Sequence, residues 1–287
     1  MPHTLAIVNP AAAGGRAARR AAPYLRALGD VRIAHTTEPG HARELARAAD
    51  AAVIVAVGGD GTVHEVLNGL QLRSTPAVLG ILPVGTGNSF VRDLDLTLER
   101  SVDAIRLGRR RRVDAMRLSW DDGALWSLNL VSLGFTAAVG SLANRRFKAL
   151  GAGGYVASVV VEVSRLRSES VAFGLDGGPI VARPSLLLSF SNSRFTGGSM
   201  AIAPCARIDD GKLDVIRVGS MGRARLLSAF PRIFAGTHLE LPEVDATTAA
   251  RVDFALDGPV DVLVDGEILR CQPRALEVFP GAVEVAA

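Results

Sequence analysis

Residues 53–70 read VIVAVGGDGTVHEVLNGL, and the fold is decided there. Residues 51–57 form a short apolar run rich in β-branched side chains, as expected of a strand buried on both faces. Gly58, Gly59, Asp60 and Gly61 break that run. Val63, Val66, Leu67 and Leu70 then recur at i, i+3, i+4 and i+7, one face of a helix. Thr62 and Glu65 have the spacing of a capping box, which predicts that the helix starts at Thr62. The unit is strand, glycine turn, helix. Its glycines let backbone N–H groups approach an anion, and the helix N-terminus adds partial positive charge that suits phosphate. Asp60 is out of place beside a bare phosphate. It implies a divalent cation or an arriving hydroxyl between carboxylate and nucleotide, or else it simply caps the turn.

A second stretch repeats the design. Residues 77–82 form another apolar strand, and Pro83-Val84-Gly85-Thr86-Gly87-Asn88 is a glycine-punctuated loop expected to open a helix. In a parallel sheet both loops leave the carboxyl edges of their strands, where open α/β folds bind ligands.

GGDGTVHEVLNGL followed by LPVGTGNSFVRDL resembles the diacylglycerol kinase catalytic family, which includes bacterial lipid kinases and sphingosine kinases. GGDG alone is shared with NAD kinases and phosphofructokinases. The pair, in this order and at this separation, is specific. The resemblance implies ATP and Mg²⁺ as cofactors. It places Gly58, Gly59, Asp60, Gly61, Thr62, Glu65, Gly85, Thr86 and Asn88 at the nucleotide, with Asn9, Pro10 and Thr37 nearby.

Composition sets the outer bounds. A chain of 287 residues, 48% hydrophobic and 21% charged, forms one large domain or two ordinary ones. A formal charge of +3 is too small to argue for nucleic acid. Cys205 and Cys271 are too few for a disulfide framework, and no Cys/His spacing suggests zinc. No apolar run is long enough to span a bilayer and no basic-then-apolar leader is evident, so the expected location is the cytoplasm. The lipid substrate would bring the protein peripherally to the membrane surface. Arg109, Arg110, Arg111 and Arg112 are the one dense basic run. A solvated linker is the favoured reading over contact with lipid headgroups. Oligomeric state is left open, a homodimer among the options.

Taken in order, residues 5–8 form a strand that ends in Asn9-Pro10. Gly14 and Gly15 follow, and a helix runs to about Leu28. Asn9 suits a phosphate or ribose contact, or an ordinary strand-end turn. Residues 31–36 and 41–49 form the next strand and helix, linked by a Thr36-Thr37 turn similar to one beside the family's nucleotide. Four βα repeats make a doubly wound parallel sheet over residues 1–112, of the phosphofructokinase and NAD-kinase type. Another helix lies between Leu94 and Gly108. Residues 113–287 change to strands, at 113–120, 125–132, 171–175, 185–191, 213–218, 251–256, 260–264 and 275–279. They predict a mainly antiparallel β-sandwich that carries the lipid substrate, interrupted by a helical insertion at 137–166. The last residues are free to return to the first domain.

Three segments of this half carry chemistry by resemblance. Asp114 opens a strand after Arg112-Val113, where family members have the same Val-Asp near the metal; alone it is a turn aspartate. Residues 191–212 are similar to a family signature whose loop approaches the nucleotide. Its Asp209-Asp210-Gly211 turn holds a structural divalent ion in some bacterial members, which would use Asp210 with the carbonyls of Arg207 and Lys212. Val264-Asp265-Gly266-Glu267 reads by itself as a β-turn. In the family its aspartate is the general base toward the lipid hydroxyl and its glutamate lies near metal and nucleotide, which makes Asp265, Asp60 and Glu267 the catalytic set. One departure stands out. Many bacterial relatives have Asn-Asp after Gly-Thr-x, and here Asn88 is followed by Ser89.

The resulting reading is an ATP-dependent lipid kinase acting on a diacylglycerol-like or sphingoid hydroxyl. The alternatives are NAD kinase, against which the Asp-Gly-Glu turn and Gly197-Gly198 argue, and a non-catalytic lipid- or nucleotide-binding regulator.

Overall fold

The computed structural model describes residues 4–134 and 168–287; the insertion expected at 137–166 lies outside them. The chain divides into two compact units, Met1–Ala115 with Pro280–Ala287, and Met116–Phe279.

In the first unit β1 (Thr4–Val8), β2 (Val31–His35), β3 (Val53–Gly58) and β4 (Val78–Pro83) run parallel in the order β2-β1-β3-β4. Every residue of β3 is buried, as its unbroken apolar sequence predicts. The helices are α1 (Ala12–Gly15), α2 (Ala17–Leu28), α3 (His41–Ala48), α4 (Asp60–Leu70) and α5 (Leu98–Arg106). Small residues let them pack close to the strands: Ala17 and Ala21 of α2 are fully buried in one core with Val8, Val55 and Val57. The chain's last strand returns here, with Val285 pairing parallel to Leu79.

In the second unit β7 (Leu130–Gly134), β10 (Leu187–Ser191), β11 (Leu213–Val218), β12 (Val244–Ala249), β14 (Val260–Val264) and β15 (Glu267–Cys271) form an antiparallel sheet in the order β12-β11-β10-β7-β14-β15. A second sheet contains β6 (Gly123–Ser127), β8 (Glu169–Leu175), β9 (Val181–Ser185), β13 (Arg251–Phe254) and parts of β5 (Arg111–Trp120) and β16 (Ala275–Val285). The core between them is built from alternate side chains such as Leu188, Phe190, Val131, Val252 and Val262. Phe190 meets Phe173 and Phe254 edge to face, with ring centroids at 6.1 and 5.4 Å. Two short helices, α6 (Arg223–Ala229) and α7 (Arg232–Ala235), lie outside the strands.

Several local expectations change. Helix α4 starts at Asp60 with Gly59 as its N-cap, two residues before the expected start, and Thr62 and Glu65 form no capping box. The second glycine loop leads into a short 3₁₀ turn, Phe90–Arg92, and the next helix begins at Leu98, where the Thr97 hydroxyl accepts from Arg100 N at 3.2 Å. The strand expected at 125–132 is two strands, broken at Leu128 and Asn129, whose backbone N–H groups turn toward a carboxylate. That expected at 185–191 passes from one sheet to the other at Leu186. Arg111 and Arg112 belong to β5, so of the four arginines only Arg109 and Arg110 lie in the link from α5, after Leu107 and Gly108.

Candidate functional site

In the first unit the two glycine loops touch through their backbones. Gly85 N donates to Gly58 O at 3.0 Å. A Cβ at Gly85 would lie 2.3 Å from Gly59 Cα, so no side chain fits between the loops. Gly58 is restricted for another reason: a Cβ there would meet Thr62 Oγ1 at 2.2 Å. Thr62 is buried, and its hydroxyl accepts from Asn9 Nδ2 at 3.2 Å, which ties the end of β1 to the first turn of α4. Asn9 Oδ1 in turn accepts from Ala11 N at 3.0 Å. Asp60 Oδ1 accepts from Ser89 N at 2.7 Å, and Asn88, at φ 52°, donates its amide to the carbonyls of Pro83 and Gly85. Asp60 therefore braces the second loop from the N-terminus of α4, where its charge also suits the helix dipole. Ser89, the departure from the family pattern, is the residue it holds.

The other predicted residues of this unit separate by role. Glu65 reaches α3 and accepts from Gly40 N at 2.9 Å and Ala42 N at 3.0 Å, so it caps that helix. Thr37 N donates to His41 Nδ1 at 3.1 Å, fixing the turn before α3. Pro10 and Thr86 are exposed at their loops. Asp114 is buried and its Oδ1 accepts from Gly281 N at 2.7 Å, which anchors the returning strand. Among the described residues no three His, Cys, Asp or Glu side chains converge on a metal position. Arg20, which sequence reasoning missed, donates to Val84 O at 3.2 Å and sets a guanidinium beside the second glycine loop.

In the second unit Asp265 and Gly266, at φ 48° and 97°, are the two-residue loop joining β14 to β15, the left-handed pair that such hairpins need. The Asp265 side chain is buried. Its Oδ1 accepts from Ser127 Oγ at 2.6 Å, Asn129 N at 2.9 Å and Leu130 N at 3.1 Å, and its Oδ2 from Leu128 N at 3.0 Å. This carboxylate is what breaks β6 from β7. Asn192 Nδ2 donates to Leu128 O at 2.9 Å and Ser193 Oγ to Asn129 Oδ1 at 2.8 Å, so residues 127–130, 192–193 and 265 form one buried polar knot. Glu267 is exposed.

Asp210 Oδ1 accepts from Lys212 N at 3.1 Å across Gly211, at φ 71°, while Arg207 Nη2 lies 3.7 Å from Asp209 Oδ1. Burial, and then the charge of Asp210, pushes the Asp214 carboxyl up to about 6. His238 is buried, with Nε2 at 3.0 Å from Ile202 O and Nδ1 without a partner. Burial lowers its pKa. Its contribution to stability is therefore complete above the unfolded value of about 6.5 and is lost as pH falls below that. Between pH 7.5 and 5.5 His238→Gln is expected to keep more of its melting temperature than wild type does, because an amide donates to Ile202 O without charging, while the opposite gain from Asp214 is common to both proteins. Equal pH dependence in wild type and variant would refute this.

Residues 3–118 match the diacylglycerol kinase catalytic domain, and residues 129–287 match the YegS C-terminal NAD kinase beta sandwich-like domain. A diacylglycerol kinase of Mycobacterium tuberculosis is 33% identical over 256 residues, covering 88% of this chain and 81% of the relative. A probable lipid kinase YegS-like of Yersinia enterocolitica is 28% identical over 99% of this chain and 96% of its own length. The crystal structure of a putative diacylglycerol kinase from Bacillus anthracis str. Sterne superposes with a TM-score of 0.78 at 26% identity, covering 99% of this chain and 96% of that one. The chain belongs to the diacylglycerol kinase family, the ATP-dependent lipid kinases that its two glycine loops resemble. The expected α/β unit followed by an antiparallel sandwich is the fold of that family.

Proposed function

We propose that the protein transfers the γ-phosphate of ATP to the hydroxyl of a diacylglycerol-like or sphingoid lipid taken from a membrane surface to which it binds peripherally. The observation that supports this most is the backbone contact between the two glycine loops at the N-terminus of α4. It leaves N–H groups and a helix dipole for phosphate, and no side chain fits at Gly85 where the loops touch. Gly59, Gly61, Thr62, Gly85 and Thr86 hold the phosphates. Asn9, Glu65 and Asn88 act through the loops they fix. Asp265 receives the proton of the lipid hydroxyl. Glu267 and Asp114 order the surroundings of the transferred group.

The donor set fits Mg²⁺. One carboxylate, Asp60, stands among the glycine loops, as suits an ion held by one or two carboxylates, phosphate oxygens and water. When bound, the ion neutralises charge on the transferring phosphate. The test is transfer of labelled γ-phosphate to a panel of diacylglycerols and sphingoid bases in mixed micelles, with mass analysis of the product. Transfer to NAD alone would replace this reading with the NAD-kinase one. Absence of any transfer would leave the regulator.

Asp210, with the carbonyls of Arg207 and Lys212, offers the hard oxygens of a separate structural cation site. Asp210→Ala is expected to lower thermal stability and to abolish its dependence on added magnesium. Melting curves that ignore magnesium in both proteins would mean that the turn holds no ion.

A further inference from the structure

Ser127 is the last residue of β6, and its side chain is fully buried. Its hydroxyl lies 2.6 Å from Asp265 Oδ1, closer than the three backbone donors to the same carboxylate at 2.9, 3.0 and 3.1 Å. That length falls in the range of a charge-assisted O–H···O⁻ bond. The local fold does not depend on it. Asp265 and Gly266 make their turn through a left-handed backbone, and Asp265 N donates to Leu130 O at 3.0 Å. The backbone that carries the other three donors is held from the end of β10, where Asn192 N donates to Asn129 O at 2.8 Å and Asn192 Nδ2 to Leu128 O at 2.9 Å. An apolar side chain at position 127 would leave the hairpin, the strand break and three hydrogen bonds to the carboxylate in place. The hydroxyl needs another reason.

That reason lies in what a proton acceptor must do. An ionised carboxylate only accepts hydrogen bonds, whereas the acid formed when it takes a proton has one to donate, and a buried donor without an acceptor is costly. A backbone N–H can only donate, so the three amides suit the ionised form. A hydroxyl suits both forms. Ser127 Oγ gives its hydrogen to Oδ1 while Asp265 is ionised. Leu130 O, 3.4 Å from the same Oγ, is a second acceptor to which that hydrogen can turn, and the Oγ lone pairs can then receive the acid proton. Of these four groups, Ser127 is the one that fits Asp265 both before and after proton transfer.

We infer that Ser127 is a positioning residue for phosphoryl transfer, whose hydroxyl aims the Asp265 carboxylate and follows its change of protonation. The inference deepens the lipid-kinase reading and rests on Asp265 as the acceptor of the lipid proton. In that step the lipid oxygen bonds to the γ-phosphorus, the bond from that phosphorus to the bridging oxygen breaks, and ADP leaves with the electron pair. The lipid proton passes to Asp265, which becomes a neutral acid. Ser127 gains and loses no atom; its O–H turns from Asp265 to Leu130 O.

The test is transfer of labelled γ-phosphate to diacylglycerol or sphingosine in mixed micelles, whichever the wild type accepts. The variants are Ser127→Ala, Ser127→Thr, and Ser127→Ala in an Asp265→Asn background. Ser127→Ala is expected to lower kcat about tenfold or more, the worth of one hydrogen bond to a charged group, with KM for ATP unchanged. Ser127→Thr keeps the hydroxyl and should restore kcat. In the Asp265→Asn background Ser127→Ala should cost nothing more, because the hydroxyl acts through the carboxylate. A lower melting temperature with wild-type kcat in Ser127→Ala would overturn the proposal and leave the hydroxyl a packing role. So would an equal loss of kcat in the Asp265→Asn background, which would make the two residues independent. The alanine variant decides alone if the added methyl of threonine unfolds the protein. Transfer to neither lipid by wild type would remove the kinase reading and this role with it, whereas an active wild type with an unimpaired Ser127→Ala would remove the role alone.

Discussion

Asp265→Asn is expected to lower kcat by about 10²-fold or more, the usual worth of a positioned general base, while ATP still binds to the first unit with its wild-type affinity. Asparagine is the right probe because it tolerates the left-handed backbone at φ 48°, where alanine would add strain. The substitution also has a structural cost. The carboxylate accepts from Ser127 Oγ and from the backbone N–H groups of Leu128, Asn129 and Leu130. An amide can accept on one side only, so its NH₂ must face at least one of these donors. A buried donor left unsatisfied costs about 1–3 kcal/mol, visible as a drop of several degrees in Tm. The two effects separate cleanly. Near-normal kcat in a folded variant would remove Asp265 from the chemistry, and an unchanged Tm would remove it from the polar knot.

The parts of the fold that were legible in the sequence are those whose causes are local. β3 and the turn after it could be read because a fully buried strand must be apolar throughout and a backbone-to-backbone contact must be glycine. The Asp265-Gly266 hairpin could be read because few residue pairs adopt that loop. What stayed hidden depends on partners distant in the chain. Glu65 has the spacing of a capping box, yet it caps α3, because Gly40 and Ala42 present their N–H groups to it across the fold. The break between β6 and β7 is set by Asp265, more than 130 residues later, and nothing around Leu128 announces it. β12 was missed because its sequence, VDATTA, lacks the apolar alternation of a strand with one buried face. The candidate site divides in the same way. Motif resemblance supplied its residue types, but the bond from Ser89 to Asp60 and the one from Arg20 to Val84 are tertiary facts.

The glycine loops permit the other large prediction. Gly85→Ala is expected to weaken binding of ATP·Mg²⁺ by about 10²-fold or more and to destabilise the first unit by about 1–3 kcal/mol, the range for an overpacked core. The new Cβ would lie 2.3 Å from Gly59 Cα and 2.8 Å from Gly59 N, and neither atom can move as a side chain would. Gly59 is the N-cap of α4, so relief of the clash must push the second loop away from the helix N-terminus. That displacement loosens the bond from Gly85 N to Gly58 O and pulls Ser89 away from Asp60, the two links that keep the phosphate-facing N–H groups in register. Gly258→Ala is the matched control, because a Cβ there meets nothing within 4 Å and its effect should stay within about 0.5 kcal/mol. Isothermal titration and thermal melting of both variants decide the case. Wild-type ATP affinity in Gly85→Ala would falsify the assignment of these loops to phosphate, because no nucleotide could rest on both loops and be indifferent to their separation.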